Sequence, residues 1–585
     1  MQLSYSPPTG SVLNFFGTCN IEPLVSLGSD IGHVARHTLW DCKNRLDIPK
    51  RPQESTYSIF APTLRNLCYS ALGTEFFFPR LRSESEGREA LSRLVAELST
   101  TLDSVAAEFS GQSKIFVSFL EPTINPLGTL NSYASLCNPR HFARELNREY
   151  SSLVDSLGHS TFLDINESVS LAGAAPMQDT LNRNVAHASF LSDWDELFDG
   201  NRILKSTGTF ETFESNPALV NSIAVKFWQQ LNDIISIHRA RDPIKLVIVD
   251  LDDTLWRGIA AEEEIPNWQR TEGWPSGFVE ALLFFKARGG LLAICSKNDA
   301  SPTLSRISTI WGHAIQADDF CSIKIGWDSK AKAVGEILRD ANILPEHTLF
   351  IDDNPREVSE VVDAFPSINS FNGDHYGWRR ELLLNPRFRV AGITAESANR
   401  TTLVKARLER DALGKRLERA DWLRTLQLSQ EFHIVSSDED PHFARAFELL
   451  NKTNQFNTTG KRWERTELAQ LFVNEGVIVV CFLRDKFTDN GLVGCSVIQG
   501  NTIVQVVLSC RVFGLDAEIA LANFCVSHIL KSHNKCFAMF ATTPKNHTCS
   551  DYFVRCGMER SGTSDPYFVE QTPPIPDHIT VSLRE

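Results

Sequence analysis

The residues Asp250 and Asp252 stand two apart directly after the apolar run Ile244 to Val249, in the string Leu246-Val247-Ile248-Val249-Asp250-Leu251-Asp252-Asp253-Thr254-Leu255-Trp256. Where a strand turns into a loop, the first carboxylate can attack phosphorus and the second can protonate the leaving oxygen. Both can also offer oxygen ligands to a hard cation. A calcium-binding loop would need glycine at its sixth position and would not follow a buried strand; Leu255 stands there instead. Companions follow in order. Ser296 ends the apolar run Leu291 to Cys295, Lys330 opens a helical pattern, and Asp352-Asp353 end the run Leu349 to Ile351. A hydroxyl and an ammonium can hold the oxygens of a transferring phosphoryl group, and the further carboxylates can hold Mg²⁺.

These side chains need a parallel sheet to bring them together. The run Ile244 to Val249, apolar apart from Lys245, predicts a strand buried on both faces. A helix over 277–288, a strand over 291–295, a helix over 330–342 and a strand over 348–351 complete a βαβαβ rhythm, whose ligands lie at the carboxyl ends of the strands. About 45 residues separate Asp250 from Ser296 and about 35 separate Ser296 from Lys330, which leaves no room for a cap domain beyond the core's own helices and strands. An open site is expected.

Around this centre the chain predicts an α/β multidomain protein: an α/β domain over 1–235, the phosphoryl-transfer domain over 236–395, a linker read as one long charged helix over 396–430, and a third α/β domain over 431–585. In the first domain, runs such as Val12 to Phe16, Lys114 to Leu120 and Thr161 to Ile165 alternate with helical stretches such as Glu89 to Phe109. On the linker, Val404, Leu408, Leu413, Leu417 and Ala420 form an apolar stripe. The third domain has strands paired about an Asp489-Asn490-Gly491 turn, a strand over 503–510 and a helix over 517–530. In it the loop Arg511-Val512-Phe513-Gly514-Leu515-Asp516-Ala517 precedes a helix N-terminus that can cradle a pyrophosphate or pantetheine arm. Cys510, at the end of the preceding strand, is a candidate thiolate nucleophile activated by Arg511 and that helix.

Composition narrows the classes. Against 58 Lys and Arg stand 72 Asp and Glu, a net charge of −14, which disfavours nucleic acid and anionic membranes as partners. The N-terminal stretch lacks a basic and then apolar leader, and no apolar run approaches the ~18 residues of a membrane span. A cytoplasmic protein is expected. The 13 cysteines form neither C-x-x-C pairs nor zinc-spaced clusters with histidine, so reduced thiols are expected.

The set Asp250, Asp252, Ser296, Lys330 and Asp352-Asp353 resembles the haloacid dehalogenase (HAD) phosphotransferases, and the loop after Cys510 resembles the acyl-CoA loop of GNAT acyltransferases. Together, the strings DLDDTLW, LAICSKND, FIDDNPRE, LLNKTNQFNTT, DNGLVG, LSCRVFG and TPKN over about 240–560 resemble the FkbH-like family, HAD subclass IIIC proteins with a GNAT-like C-terminal domain. The resemblance implies Asp250 as nucleophile, Asp252 as general acid and base, and Ser296 and Lys330 on phosphate with Thr254 fixing the loop beside them. It implies Mg²⁺ on Asp250, the Asp252 carbonyl and Asp353, with Asp352 close by. Asn454, Asn457, Arg511, Gly514 and Asn546 would line an acyl or pantetheine site. The implied activity is a bifunctional glyceryl transferase and phosphatase. It would take 1,3-bisphosphoglycerate, hold the acyl group on a cysteine, remove phosphate and load an acyl carrier protein for polyketide or related biosynthesis.

Cys510 is the candidate acyl cysteine and Cys295 its rival, although consecutive strand residues face opposite ways, so Cys295 should point away when Ser296 points inward. A Mg²⁺-dependent phosphatase of a small metabolite, and an acyl-CoA N-acyltransferase with a regulatory HAD domain, are the alternatives. Two positions depart from the family pattern: Asp253, where Asn is expected, and Gly326-Trp327-Asp328-Ser329, where Asn-Trp and a Pro before the lysine are expected. The N-terminal domain resembles SGNH hydrolases, with Cys19 at the nucleophile position but no Asp-x-x-His partner, so a docking or structural role is expected of it.

Overall fold

The computed structural model describes residues 9–18, 21, 24–25, 27–28, 32–40, 48–52, 55–72, 81–123, 125–128, 133–173, 217–239, 242–390, 399–453, 455–463, 465–560, 562 and 565–584. The chain divides between Arg239 and Ala240 into two compact units, Ser6–Arg239 and a second running from Ala240 to Glu585.

In the first unit, β1 (Val12–Gly17), β2 (Val34–Leu39), β3 (Tyr57–Ala61), β4 (Lys114–Val117) and β5 (Ser160–Leu163) form a parallel sheet in the order β2-β1-β3-β4-β5. All of β3 and β4 is buried, because helices cover both faces and each face carries its own apolar core. Cys19 lies outside the described residues.

The second unit begins with β6 (Leu246–Val249), β7 (Leu291–Ser296), β8 (Ser322–Ile325), β9 (Thr348–Ile351) and β10 (Asn369–Phe371), all parallel, in the order β10-β9-β6-β7-β8. From β6 the chain runs outward through β7 and β8, then crosses back to β9 on the other side. The strand order therefore reverses beside β6, and the crevice at the carboxyl ends of β6 and β9 is where such a sheet binds ligands. Val247 and Val249 pack on one face with Phe278, Leu282 and Trp378, while Leu246 and Ile248 pack on the other with Val334 and Ile337. Burial on both faces is why the sequence shows a continuous apolar run and no alternation. Between β6 and β9 the chain contains only a short flap, the strands β7 and β8 and the helices that connect them.

The linker departs from its predicted single helix. It forms two, Arg400–Gly414 and Arg419–Thr425, and the third domain's first strand begins at Leu428, inside the segment assigned to the linker. Trp422 folds back so that its Nε1 donates to the Arg410 carbonyl at 3.1 Å, and a Cβ on Gly414 would sit 3.0 Å from its ring. Glycine ends the helix because the indole needs that space. Val404 and Leu408 of the predicted stripe pack on the β6–β10 sheet's core, whereas Leu417 is exposed. Arg410, expected to face solvent, is only 1% exposed. Its guanidinium bonds Asp485, Asn490 and the Arg511 carbonyl.

The third domain is an eight-stranded mixed sheet. It contains β11 (Leu428–Val435), β12 (Val477–Arg484), β13 (Asp489–Gln499), β14 (Thr502–Leu508), β15 (Cys536–Ala538), β16 (Glu559–Arg560), β17 (Tyr567–Val569) and β18 (Ile579–Leu583), in the order β16-β17-β15-β14-β13-β12-β11-β18. The β12–β13 turn is Asp485–Thr488, closed by Asp485 N–H on the Thr488 carbonyl and by Asp485 Oδ1 accepting from Phe487 and Thr488 N–H. Asp489-Asn490-Gly491 instead opens β13, where the ladder shifts register and Gly491 takes φ +63°. An Asx turn at Asp485 competed successfully with the Asn-Gly signal.

β14 and β15 pair in parallel only at Thr502 and Ile503. Beyond them the chain's own segment Phe456–Thr458 enters the gap. Leu508 N–H donates to the Phe456 carbonyl, Thr458 N–H to the Val506 carbonyl and Ala541 N–H to the Thr458 carbonyl. Among the described residues no helix is long and apolar enough to cross a membrane.

Candidate active site

At the carboxyl end of β6, the Asp250 N–H bonds the Ile351 carbonyl of β9, which sets Asp250 at the point where the strand order reverses. The chain then coils tightly: Thr254, Leu255 and Trp256 N–H groups all return to the Leu251 carbonyl. Asp253 sits at φ +48°, a left-handed conformation that Asp and Asn tolerate better than other residues with a Cβ, and its Oδ1 accepts from Gly258 N–H at 2.7 Å. Aspartate therefore serves the loop much as asparagine would. Trp256, fully buried, anchors the flap.

Five predicted residues gather around Asp250. Lys330 Nζ lies 3.1 Å from Asp250 Oδ2 and 2.5 Å from Asp352 Oδ2. Asp250, Asp352 and Asp353 can each bring an oxygen to within 4.8 Å of the others. Thr254 Oγ1 bridges the flap to β9's end: it donates to Asp353 Oδ1 at 3.4 Å and accepts from Asp353 N–H at 3.2 Å. Ser296 ends β7, and its hydroxyl favours the charged form of Asp250. Lys330 opens its helix because Ser329 caps it, accepting from Lys332 N–H at 3.2 Å.

Electrostatics follow from burial. Desolvation raises the Asp250 carboxyl to about 6; Lys330 opposes that rise and the Asp352 charge adds to it. Asp352 and Asp353 are also raised, chiefly by burial. Burial alone would lower the Lys330 ammonium, but its two carboxylates outweigh this and hold it above its ordinary value. It stays charged. Three carboxylates against one ammonium leave the cluster two negative charges in excess when all are ionised, and Asp250 Oδ1, though buried, accepts no hydrogen bond among the described residues. An all-oxygen donor set with an unpartnered buried oxygen and an excess of −2 fits a hard divalent cation.

Asp252 stands outside that cluster. Its Oδ1 accepts from Trp256 Nε1 at 2.8 Å and Ala260 N–H at 2.9 Å, and its Oδ2 accepts from Asn298 Nδ2 at 2.9 Å. Asn298 also donates to Ser296 Oγ at 3.1 Å, so one amide positions both residues. Asn298 lies within the string LAICSKND, and its place two residues beyond Ser296 is the sequence signal for this role.

Cys295 packs on the opposite face of β7 with Leu246, Ile248 and Val334, and burial pushes its thiol up to about 12. Asn457 and Asn546 are fully buried and serve the fold. Asn457 Oδ1 accepts from Thr459, Gly460 and Gln505, while its Nδ2 donates to the Thr453 carbonyl. Asn546 Nδ2 donates to the carbonyls of Asn457 and Ala541, and its Oδ1 accepts from Thr543 N–H. These bonds tie down the segment lying between β14 and β15. Arg511 Nη2 donates to the Leu492 carbonyl, and Gly514, at φ +79°, faces open space. Cys510 begins a short turn, Cys510–Val512; its side chain and the whole of Asn454 lie outside the described residues.

No family model and no curated protein matches the chain. Among solved structures it is similar to the N-terminal part of BF1531 from Bacteroides fragilis, described as containing a phosphatase domain complexed with Mg. The identity is 16% and the TM-score 0.42, over 66% of this chain and 95% of that one. It is also similar to the cobalt-bound deoxy-D-mannose-octulosonate 8-phosphate phosphatase of Haemophilus influenzae, at 17% identity and a TM-score of 0.18 over 29% of this chain and 92% of that one. The 3-deoxy-D-manno-octulosonate 8-phosphate phosphatase of Yersinia pestis is similar at 19% identity and a TM-score of 0.17, over 30% of this chain and 89% of that one.

Proposed function

We propose that the Asp250 centre is a HAD-type, Mg²⁺-dependent phosphatase that works through an aspartyl-phosphate. The observation that carries this reading is the buried Asp250 carboxylate at the strand-order reversal, with Oδ2 on Lys330 and Oδ1 accepting no hydrogen bond among the described residues. In the first step an Asp250 oxygen bonds to phosphorus as the bond to the leaving oxygen breaks, and protonated Asp252 gives its proton to that oxygen. In the second, ionised Asp252 takes a proton from water. The water oxygen bonds to phosphorus and the Asp250–phosphorus bond breaks. Lys330 and Ser296 hold the phosphoryl oxygens, and the Trp256, Ala260 and Asn298 donors keep Asp252 in place through both steps. Held by Asp250, the Asp252 carbonyl and Asp353, with Asp352 beside them, Mg²⁺ would neutralise the excess negative charge and polarise the phosphoryl group.

The finer reading extends this to glyceryl transfer from 1,3-bisphosphoglycerate to an acyl carrier protein, with Cys510 as the acyl-bearing thiolate. The sequence resemblance supports it, and the buried Cys295 thiol, pushed up to about 12, weighs against the rival. The test is intact-protein mass and phosphate release after incubation with Mg²⁺ and fresh 1,3-bisphosphoglycerate. Asp250-dependent phosphate release supports the phosphatase. An acyl adduct lost only in Cys510→Ala supports the transferase, and neither result in the wild type refutes both.

A further inference from the structure

We propose a second metal site, for a borderline divalent cation such as Zn²⁺, formed by His433, Asp440 and His442 in the third domain. His433 lies on β11, and Asp440 and His442 lie in the loop that leads from β11 into the helix Phe443–Lys452. Each offers a ligand atom within 4.8 Å of the others, and all three are partly exposed, so solvent can supply the remaining coordination positions.

The fold holds each group in place. His433 is fixed by the β11–β12 ladder opposite Val480. Asp440 Oδ1 accepts the His442 N–H at 2.8 Å, an Asx turn that leaves Oδ2 directed at His433 Nε2, 2.9 Å away. The His442 ring stands edge-on to both His433 and Phe482, with centroids 5.0 Å from each. Two imidazoles and one carboxylate with open positions suit Zn²⁺, Co²⁺ or Ni²⁺, whereas the all-oxygen cluster around Asp250 suits Mg²⁺. A helix N-terminus opposes a cation, but Asp438, Glu439 and Asp440 place three carboxyl groups within three consecutive positions and offset it. When bound, the ion would clip the end of β11 to the start of the helix that leads toward Phe456–Thr458.

The test uses the full chain carrying Asp250→Asn, which weakens the first site, stripped with chelator and held in excess Mg²⁺. Zn²⁺ is titrated by calorimetry and Co²⁺ by its visible spectrum. One Zn²⁺ per chain is expected, with a low-symmetry Co²⁺ spectrum. His433→Ala and His442→Ala should each weaken binding at least about tenfold, since even outer-shell partners of metal ligands are worth about 10–100-fold. His433→Gln, which keeps a hydrogen-bonding side chain toward Asp440, separates ligation from folding: it should preserve the thermal midpoint without metal and still lose Zn²⁺. No stoichiometric Zn²⁺ binding, or binding unchanged in the histidine variants, overturns the proposal.

Discussion

Replacing Asp250 with asparagine should abolish phosphate release while making the metal-free protein more stable at neutral pH. The sign follows from linkage. Asp250's carboxyl is raised from its ordinary 3.8 to about 6, so the folded chain holds that proton more tightly than the unfolded chain does. The resulting stability is fully present below pH about 3.8 and is lost as pH rises through about 6. Across that gap of about 2 pH units, at 1.36 kcal/mol each, the ionised carboxylate costs the neutral-pH fold about 3 kcal/mol. Asparagine keeps the shape without the charge, and Lys330 keeps Asp352 as its partner. In chelator, Asp250→Asn should therefore match the wild type near pH 4, gain between pH 4 and 6, and stay ahead by up to about 3 kcal/mol above pH 6. Urea unfolding at a series of pH values, monitored through the tryptophans, reads this difference. Saturating Mg²⁺ should shrink it, because the cation favours the ionised carboxylate. Equal stability at pH 7, or an advantage that grows as pH falls, would refute the argument that this site carries uncompensated negative charge.

Other consequences are separable. Asn298→Ala removes one amide donor from both Asp252 and Ser296, and a lost hydrogen bond to a charged group, worth about 1.5–3 kcal/mol, predicts a fall in kcat of about 10–150-fold in steady-state phosphate release. Arg410→Met should destabilise the second unit by about 3–5 kcal/mol because Asp485 is left buried without its cation; adding Asp485→Asn, which removes the charge and keeps the oxygen that closes the turn, should recover much of this in calorimetry. The Cys295 thiol, buried and pushed up to about 12, should resist disulfide reagents at pH 8 in the folded chain, and Cys295→Ala should leave phosphate release unchanged.

What the sequence disclosed depended on how locally each feature was determined. The strand Thr348–Ile351 and the helix Ala517–Leu530 appear as predicted, because apolar patterning acts over a few residues. The convergence of Asp250, Lys330 and Asp352-Asp353 was legible for a different reason: each stands at the end of a strand or the start of a helix, and a parallel sheet brings such ends to one edge. The bond from Asn298 to Asp252 needed the third dimension, since the two residues stand 46 apart in the chain. The Asp489-Asn490-Gly491 turn failed because Asp485, four residues earlier, could close a turn by its own side chain.

Arg410 is the residue least legible from sequence and the one that most directly joins the parts of the second unit. In a run of alternating basic and acidic residues, a helical arginine is expected to face water. Here its helix carries Val404 and Leu408 against the core of the β6–β10 sheet, while the guanidinium, two turns on, is closed in by Asp485, Asn490 and the Arg511 carbonyl. Burying that charge is tolerable because its partners converge from the β12–β13 turn, the start of β13 and the residue following Cys510. One helix thus touches the core behind the Asp250 site and the loop of the candidate acyl cysteine. If phosphoryl and acyl chemistry are coupled in this protein, Arg410→Met with Asp485→Asn, which keeps the helix and the β12–β13 turn but removes the anchor at Arg511, should leave Asp250-dependent hydrolysis of a simple phosphate ester intact and lower acyl-adduct formation on Cys510. Equal retention of both activities would show that the helix is only a brace.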